Sequence, residues 1–165
     1  MPIDRAAAET FIWSTARLVD RHRYAMLFAD GSPQPVLSAL RAYQNPDGGF
    51  AHALEPDLRG PGSQPGPTLY ALEMLHEADG LDCDMAAQAQ AWIASIADAD
   101  GAIPSALPGF EDYPHAPWWT AEPASFLTFG LAAVLHAGGI RDEPWLACAT
   151  DWCWRRIEAE QQPSA

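Results

Sequence analysis

The stretch His52-Ala53-Leu54-Glu55-Pro56-Asp57-Leu58-Arg59 sets an imidazole, two carboxylates and a guanidinium close together in a proline-rich loop. A second proline-rich stretch carries Glu111, Asp112, Tyr113, His115, Trp118, Trp119 and Glu122. Carboxylates and imidazoles are the side chains that move protons near neutral pH or hold a metal ion. If both loops gather at one end of the molecule, His52, Asp57, His115 and Glu122 are the candidate catalytic groups. Glu55 and Tyr113 would then contact a ligand, together with Trp118, Trp119 and, on neighbouring helices, Tyr70 and Phe126. The adjacent pair Trp118-Trp119 offers an apolar platform for an isoprenoid or a sugar ring. The competing reading is structural: Glu55 and Asp57 satisfy backbone N–H groups at helix starts and pair with Arg59, and the tryptophans pack the loop or a subunit contact. No residue set with metal-ligand spacing stands out, and no cofactor is named by the sequence.

The elements that must position these loops are helical. Ile12, Ala16, Val19, Arg23 and Met26 follow a helical period over about 4–28, and Asp30-Gly31 breaks it. A second helix is expected over about 35–44, with Val36, Leu37, Leu40 and Tyr43 on one side. Pro67 suits the start of a third, striped by Leu69, Leu72 and Leu75 and stopped by Gly80. Met85, Ala89, Trp92, Ile93 and Ile96 define an amphipathic fourth, with Asp82 or Asp84 as cap. A fifth, from Pro123 to Gly138-Gly139, is apolar on almost every side and is expected to be buried all round. A sixth begins near Asp142 and carries Trp145, Ala149, Trp152 and Arg156 on one face. Trp92, Trp145 and Trp152 read as core, and His76 and His136 as caps near helix ends.

Two segments repeat. LEMLHEADG (72–80) matches AAVLHAGG (132–139) through Leu75-His76 and Leu135-His136, and Asp47-Gly48 matches Asp100-Gly101. The N-terminal helix fills 1–34, a first unit 35–80, a second 81–139 and the start of a third 140–165, all in one domain. Helices three and five are nearly uncharged and helices four and six are half polar, as an inner and an outer layer require.

The opening of that first unit is YQNPDGGF. Gln44, Gly48 and Phe50 resemble the Gln…Gly-x-Trp/Phe repeat of terpenoid cyclases and protein prenyltransferases, which share an α/α toroid. QNPDGGFAHALEPDLRGPGSQP and YPHAPWW resemble an actinobacterial group of toroid proteins with the same repeat. The likeness covers about 35–160. It implies an all-α fold of antiparallel helical hairpins forming part of a toroid, with about six helices and an incomplete ring. It also implies a hydrophobic, isoprenoid-like small molecule as ligand. Within the repeat, Gln44 serves a helix end, Asp47-Gly48-Gly49 reverses the chain, and Phe50 folds back as a staple. The catalytic motifs of that group are not matched: Asp98-Ala99-Asp100 is a turn feature, and no paired Asp-Asp-x-x-Asp helix or zinc set occurs. A carbohydrate-active toroid is the alternative, with Glu55 or Asp57 working with Glu111, Asp112 or Glu122. A non-catalytic scaffold or truncated remnant is the third reading.

The bulk numbers agree with such a protein. The 165 residues suffice for one core. A formal charge of −13, from 9 basic and 22 acidic residues, repels phosphate backbones and argues against nucleic-acid binding. Cys83, Cys148 and Cys153 form no Cys-x-x-Cys pair, so a reduced, cytoplasmic setting is expected. The longest apolar run, Ala124 to Leu135, is too short to cross a bilayer, which needs roughly 20 residues. Three helix pairs do not close a ring. An open half-ring would expose the apolar fifth helix, so self-association is expected.

Overall fold

The computed structural model describes residues 3–161, and within them the chain is all-α, with seven helices and no strand. These are α1 (Arg5–Thr15), α2 (Leu18–Phe28), α3 (Gln34–Leu40), α4 (Pro65–Glu77), α5 (Asp84–Ile96), α6 (Leu127–Ala137) and α7 (Pro144–Gln161). Short 3-10 turns follow α3 (Arg41–Tyr43) and interrupt the second long loop (Phe110–Asp112). One large core joins α2 to α7, with no residue from α1: Phe50, Leu72, Met74, Leu75, Ile93, Leu131 and Leu135 are among its buried members.

The continuous helix expected over 4–28 is instead two. Ala16 and Arg17 are extended, with ψ 157° and 159°. Near the end of α1 the hydroxyls of Thr10, Ser14 and Thr15 donate to carbonyls one turn back. Arg17 is drawn out of helical geometry into a fork with Asp20 (2.6 and 3.0 Å) and onto the carbonyls of Ala53 and Leu54 (2.6 and 2.8 Å). Helix α6 starts at Leu127 and not at Pro123, because Ser125 is tied to the loop: its N–H and its hydroxyl both donate to Ile103 O, at 2.9 and 3.0 Å. Nor is α6 buried all round. Leu127, Leu131 and Leu135 are enclosed, but Phe129 and Gly130 are half-buried and Ala133 is exposed. The stripe on α4 is open at the same register, through Leu69, Tyr70 and Glu73. Asp84 opens α5, whose N-cap is Cys83 with no side-chain cap bond.

The links from α3 to α4 and from α5 to α6 are built to one plan. After α3, Asn45 N–H donates to Gly49 O and Gly48 N–H to Asn45 O; after α5, Asp98 N–H donates to Ala102 O and Gly101 N–H to Asp98 O. Gly48 (φ 97°) and Gly101 (φ 87°) occupy the left-handed region that their missing side chains permit. Each turn presses on the next helix but one, α5 for the first and α7 for the second. A Cβ on Gly48 would sit 2.5 Å from Gln88 O of α5, and one on Gly101 would sit 2.5 Å from Ala149 N of α7.

The residue after each turn then runs inward. Phe50 and Ile103 are fully buried, and their N–H groups donate to Thr68 Oγ1 (3.0 Å) and Thr128 Oγ1 (2.9 Å), the equivalent hydroxyls of α4 and α6. Replacing Thr128 by Val keeps the volume and orphans the buried Ile103 N–H. We expect a loss of about 1–3 kcal/mol, read from the urea midpoint.

Gln44 does not serve the carbonyls of its own helix. Its Nε2 donates across to Gly48 O (3.0 Å) and to Met85 O in the first turn of α5 (2.9 Å), stitching the first link to α5. In the second link Ala97 stands where Gln44 stands, and the Trp145 indole N–H takes over the bond to Gly101 O (3.1 Å). No helix among the described residues is long and apolar enough to cross a membrane.

Candidate functional site

The first long loop begins with two residues in an unusual backbone state. His52 and Ala53 both have φ 59°, a conformation that costs a residue with a Cβ roughly 1–2 kcal/mol. Arg17 and His52 N–H, which donates to Gly60 O at 3.1 Å, hold it in place. Leu54 and Leu58 are buried, and Leu58 N–H donates to Glu55 O. Between these two anchors the crest Glu55-Pro56-Asp57 stands at the surface, with both carboxylates half-buried.

The second loop is laid across the first. Ala116 N–H donates to Asp57 O and Arg59 N–H to Pro114 O, with Leu58 facing His115 between them. The buried Gln64 amide grips both backbone groups of Leu107, at 2.7 and 3.1 Å. The Trp119 indole N–H donates to Asp57 Oδ1 at 2.9 Å, so a buried ring and a carboxylate fix each other. Gly66 makes room for that ring: a Cβ there would lie 2.5 Å from the Trp119 Cη2 atom.

Where the loops meet α4 and α6 there is a cavity of about 260 Å³. Three carboxylates enter it, Glu55 and Asp57 from the first loop and Glu73 from α4. Trp118, Trp119, Tyr70 and Phe126 supply aromatic walls, and Leu69 and Leu127 the floor. Trp118 and Phe126 are 66% and 70% exposed, an unusual state for large rings that are not otherwise engaged.

The charges in this cleft are not matched by cations. Arg17 is already forked to Asp20, and Arg23 to Glu77 at 2.6 Å on both arms. Arg23 also lies over the Tyr70 ring, 5.7 Å from its centroid, and reaches the Tyr70 hydroxyl at 3.3 Å, which sets that ring's position. Burial pushes the Glu55 carboxyl above its ordinary 4.5, the neighbouring Asp57 charge pushes it further, and Arg17 pulls it back in part. Burial likewise raises Glu73, against the pull of Arg23. Burial that raises a carboxyl in this way favours its protonated form, the form in which a side chain serves as a general acid.

Of the residues singled out from sequence, Glu55, Asp57, Tyr70, Trp118, Trp119 and Phe126 are brought together here. The others lie elsewhere. His52 is exposed and its Nε2 sits 2.9 Å from Asn45 Oδ1. His115 turns Nδ1 to Tyr113 O (2.7 Å) and its ring edge to Phe110. Tyr113 lines a separate depression with Gly60 and Pro61. Glu122 borders an adjoining cavity, and Glu111 turns back onto Gly109 N–H at 2.9 Å. Arg59 pairs with neither Glu55 nor Asp57. Among the described residues no three His, Cys, Asp or Glu side chains are grouped to hold a metal ion.

Sequence reasoning missed Glu73 and the two arginines. Tyr70, Glu73 and Glu77 recur at i, i+3 and i+7 on the side of α4 away from Leu72 and Leu75, and that second period was the available signal. Comparison of the chain with protein-family models, curated proteins and solved structures gives no match.

Proposed function

We propose that this chain is a carbohydrate-active protein whose cleft binds a sugar ring and cleaves a glycosidic bond. The observation that carries the reading is the meeting of three carboxylates with exposed aromatic rings in one cleft, Glu55, Asp57 and Glu73 beside Trp118 and Phe126. Sugar rings present apolar C–H faces to indoles and hydroxyls to carboxylates, so this mixture suits them. Glu55, whose burial favours the protonated form, gives its proton to the leaving glycosidic oxygen. A second carboxylate, Glu73 across the cleft or Asp57 beside it, acts on the sugar or on the attacking water. Asp57 is also kept in place by the Trp119 N–H. In a glycan-binding assay by calorimetry, Trp118→Ala is expected to weaken binding roughly thirtyfold, the equivalent of about 2 kcal/mol for a central aromatic anchor. Unchanged affinity in that variant would count against the cleft as the site.

The isoprenoid reading implied by the toroid resemblance is the second one, favoured by the exposed rings of Trp118 and Phe126. It leaves three acids facing a hydrocarbon, which is the reason to rank it below the first. A non-catalytic scaffold has no use for such a cleft.

Three further elements of this reading are proposals. The helices form an arc of an α/α toroid, supported by the common plan of the two links and by loops that meet at one end. The protein works in the cytoplasm, in keeping with three free thiols. It self-associates. Enclosure of most of α6 within one chain removes the original reason for this, and the support now comes from Phe11, Leu18 and Phe28, which are 66%, 60% and 59% exposed. Light scattering is expected to give a mass above the 17.9 kDa of one chain.

A further inference from the structure

The acidic cleft is not isolated. A second cavity, of about 380 Å³, lies beside it, and the two share the side chains of Trp118 and Phe126 as a common wall. The far cavity differs in chemistry. Phe129 and Trp152 meet edge to face there, with ring centroids 5.5 Å apart, and Glu122 and Arg156 stand at its rim. The hydroxyl residues Ser105 and Thr120 also line it, so rings and hydrogen-bonding groups are again mixed.

Size separates one long ligand from two small ones. Pockets for small molecules span about 300–1,000 Å³. The acidic cavity alone falls below that range, whereas the pair joined across Trp118 lies well inside it. A ring that stands exposed between two cavities, and belongs to both, is placed to stack a ligand that passes over it.

We infer that the protein takes a chain of at least two sugar units, with one unit among Glu55, Asp57 and Glu73 and the next beyond Trp118, against Phe129, Glu122 and Arg156. This rests on the carbohydrate reading of the acidic cleft. The shared wall places the linkage between the two units near Trp118, so the far cavity selects for chain length while the carboxylates act on the near unit.

The test is a glycan array of single sugars and their oligomers, probed with the wild-type chain and with the double variant Glu122→Ala/Arg156→Ala. Both residues are exposed, so the variant is expected to fold. Oligomers should bind the wild type at least tenfold better than the matching single sugar. The variant should lose about tenfold on oligomers, as removal of hydrogen bonds to charged groups does, and nothing on single sugars. Equal binding of single sugars and oligomers by the wild type would overturn the two-unit inference and leave the acidic cleft standing. Equal loss on both ligand sizes in the variant would also overturn it. Binding of no sugar at all would overturn the carbohydrate reading, and this inference with it.

Discussion

Glu55→Gln is expected to lower glycoside cleavage by about 10²–10⁴-fold, the range for loss of a positioned acid, while the Kd for the glycan changes little. The amide keeps the size and hydrogen-bonding reach of the side chain but has no proton to give. The same variant carries a stability signature. Burial and the Asp57 charge hold the Glu55 carboxyl above 4.5, its ordinary value. A carboxyl with a raised folded pKa contributes stability that is fully present below the unfolded pKa. That contribution is lost as pH rises through the folded one. The wild type therefore gives up stability above about 4.5, over the window in which Glu55 and Glu73 are forced to ionise. Glu55→Gln escapes the Glu55 share of this cost. It should melt higher than wild type at pH 7 and show no such advantage at pH 4. Activity of the wild type should fall as pH rises past the Glu55 pKa, because the acid is spent. A structural role for Glu55 would give the reverse: a less stable variant with cleavage intact.

Gly48→Ala is expected to destabilise the chain by about 2–5 kcal/mol, a large share of the roughly 5–15 kcal/mol that holds a domain together. Two costs combine. An alanine at φ 97° is strained by about 1–2 kcal/mol. Its Cβ would also lie 2.5 Å from Gln88 O and 2.9 Å from Gln88 C, and this is backbone of α5 that cannot swing away as a flexible side chain would. Forcing the turn off the helix costs a further 1–3 kcal/mol or so. Gly109→Ala is the control. Gly109 has a similar φ of 91°, yet nothing lies within 4 Å of its Cβ position. That variant should lose only about 1 kcal/mol. Equal urea midpoints for the two would show that the turn does not bear on α5.

Much of this was legible because it is local. Asp47-Gly48 and Asp100-Gly101 signalled left-handed turns, and both glycines have positive φ. Phe50 was expected to fold back, and it is buried under Thr68. The periodicity of Met85, Ala89, Trp92 and Ile93 marked α5. Glu55, Asp57, Trp118 and Trp119 stood out by residue type, and the loops that carry them do cross.

What escaped was long-range. The break at Ala16-Arg17 follows from a guanidinium reaching loop carbonyls at Ala53 and Leu54, which no local period encodes. The bonds of Gln44 reach Met85 in α5, far outside its own turn. Glu73 lies opposite the leucine stripe, where an exposed charge reads as a solvated face, and only the fold sets it at the same cavity as Glu55 and Asp57. His52 and His115 have the right chemistry for a site, but both lie outside the cavity, with one ring nitrogen of each turned to Asn45 Oδ1 and to Tyr113 O.

The most direct measurement is nuclear magnetic resonance of the tryptophan indole N–H groups during titration with the best-bound sugar of the array. Trp118 and Trp119 wall the acidic cleft, while Trp92 and Trp145 are buried in the main core. The Trp118 and Trp119 signals should shift with saturation, and Trp119 should also report its hydrogen bond to Asp57, with Trp92 and Trp145 unmoved. Shifts confined to other tryptophans, or no shift with any sugar, would contradict a sugar site between Glu55 and Trp118.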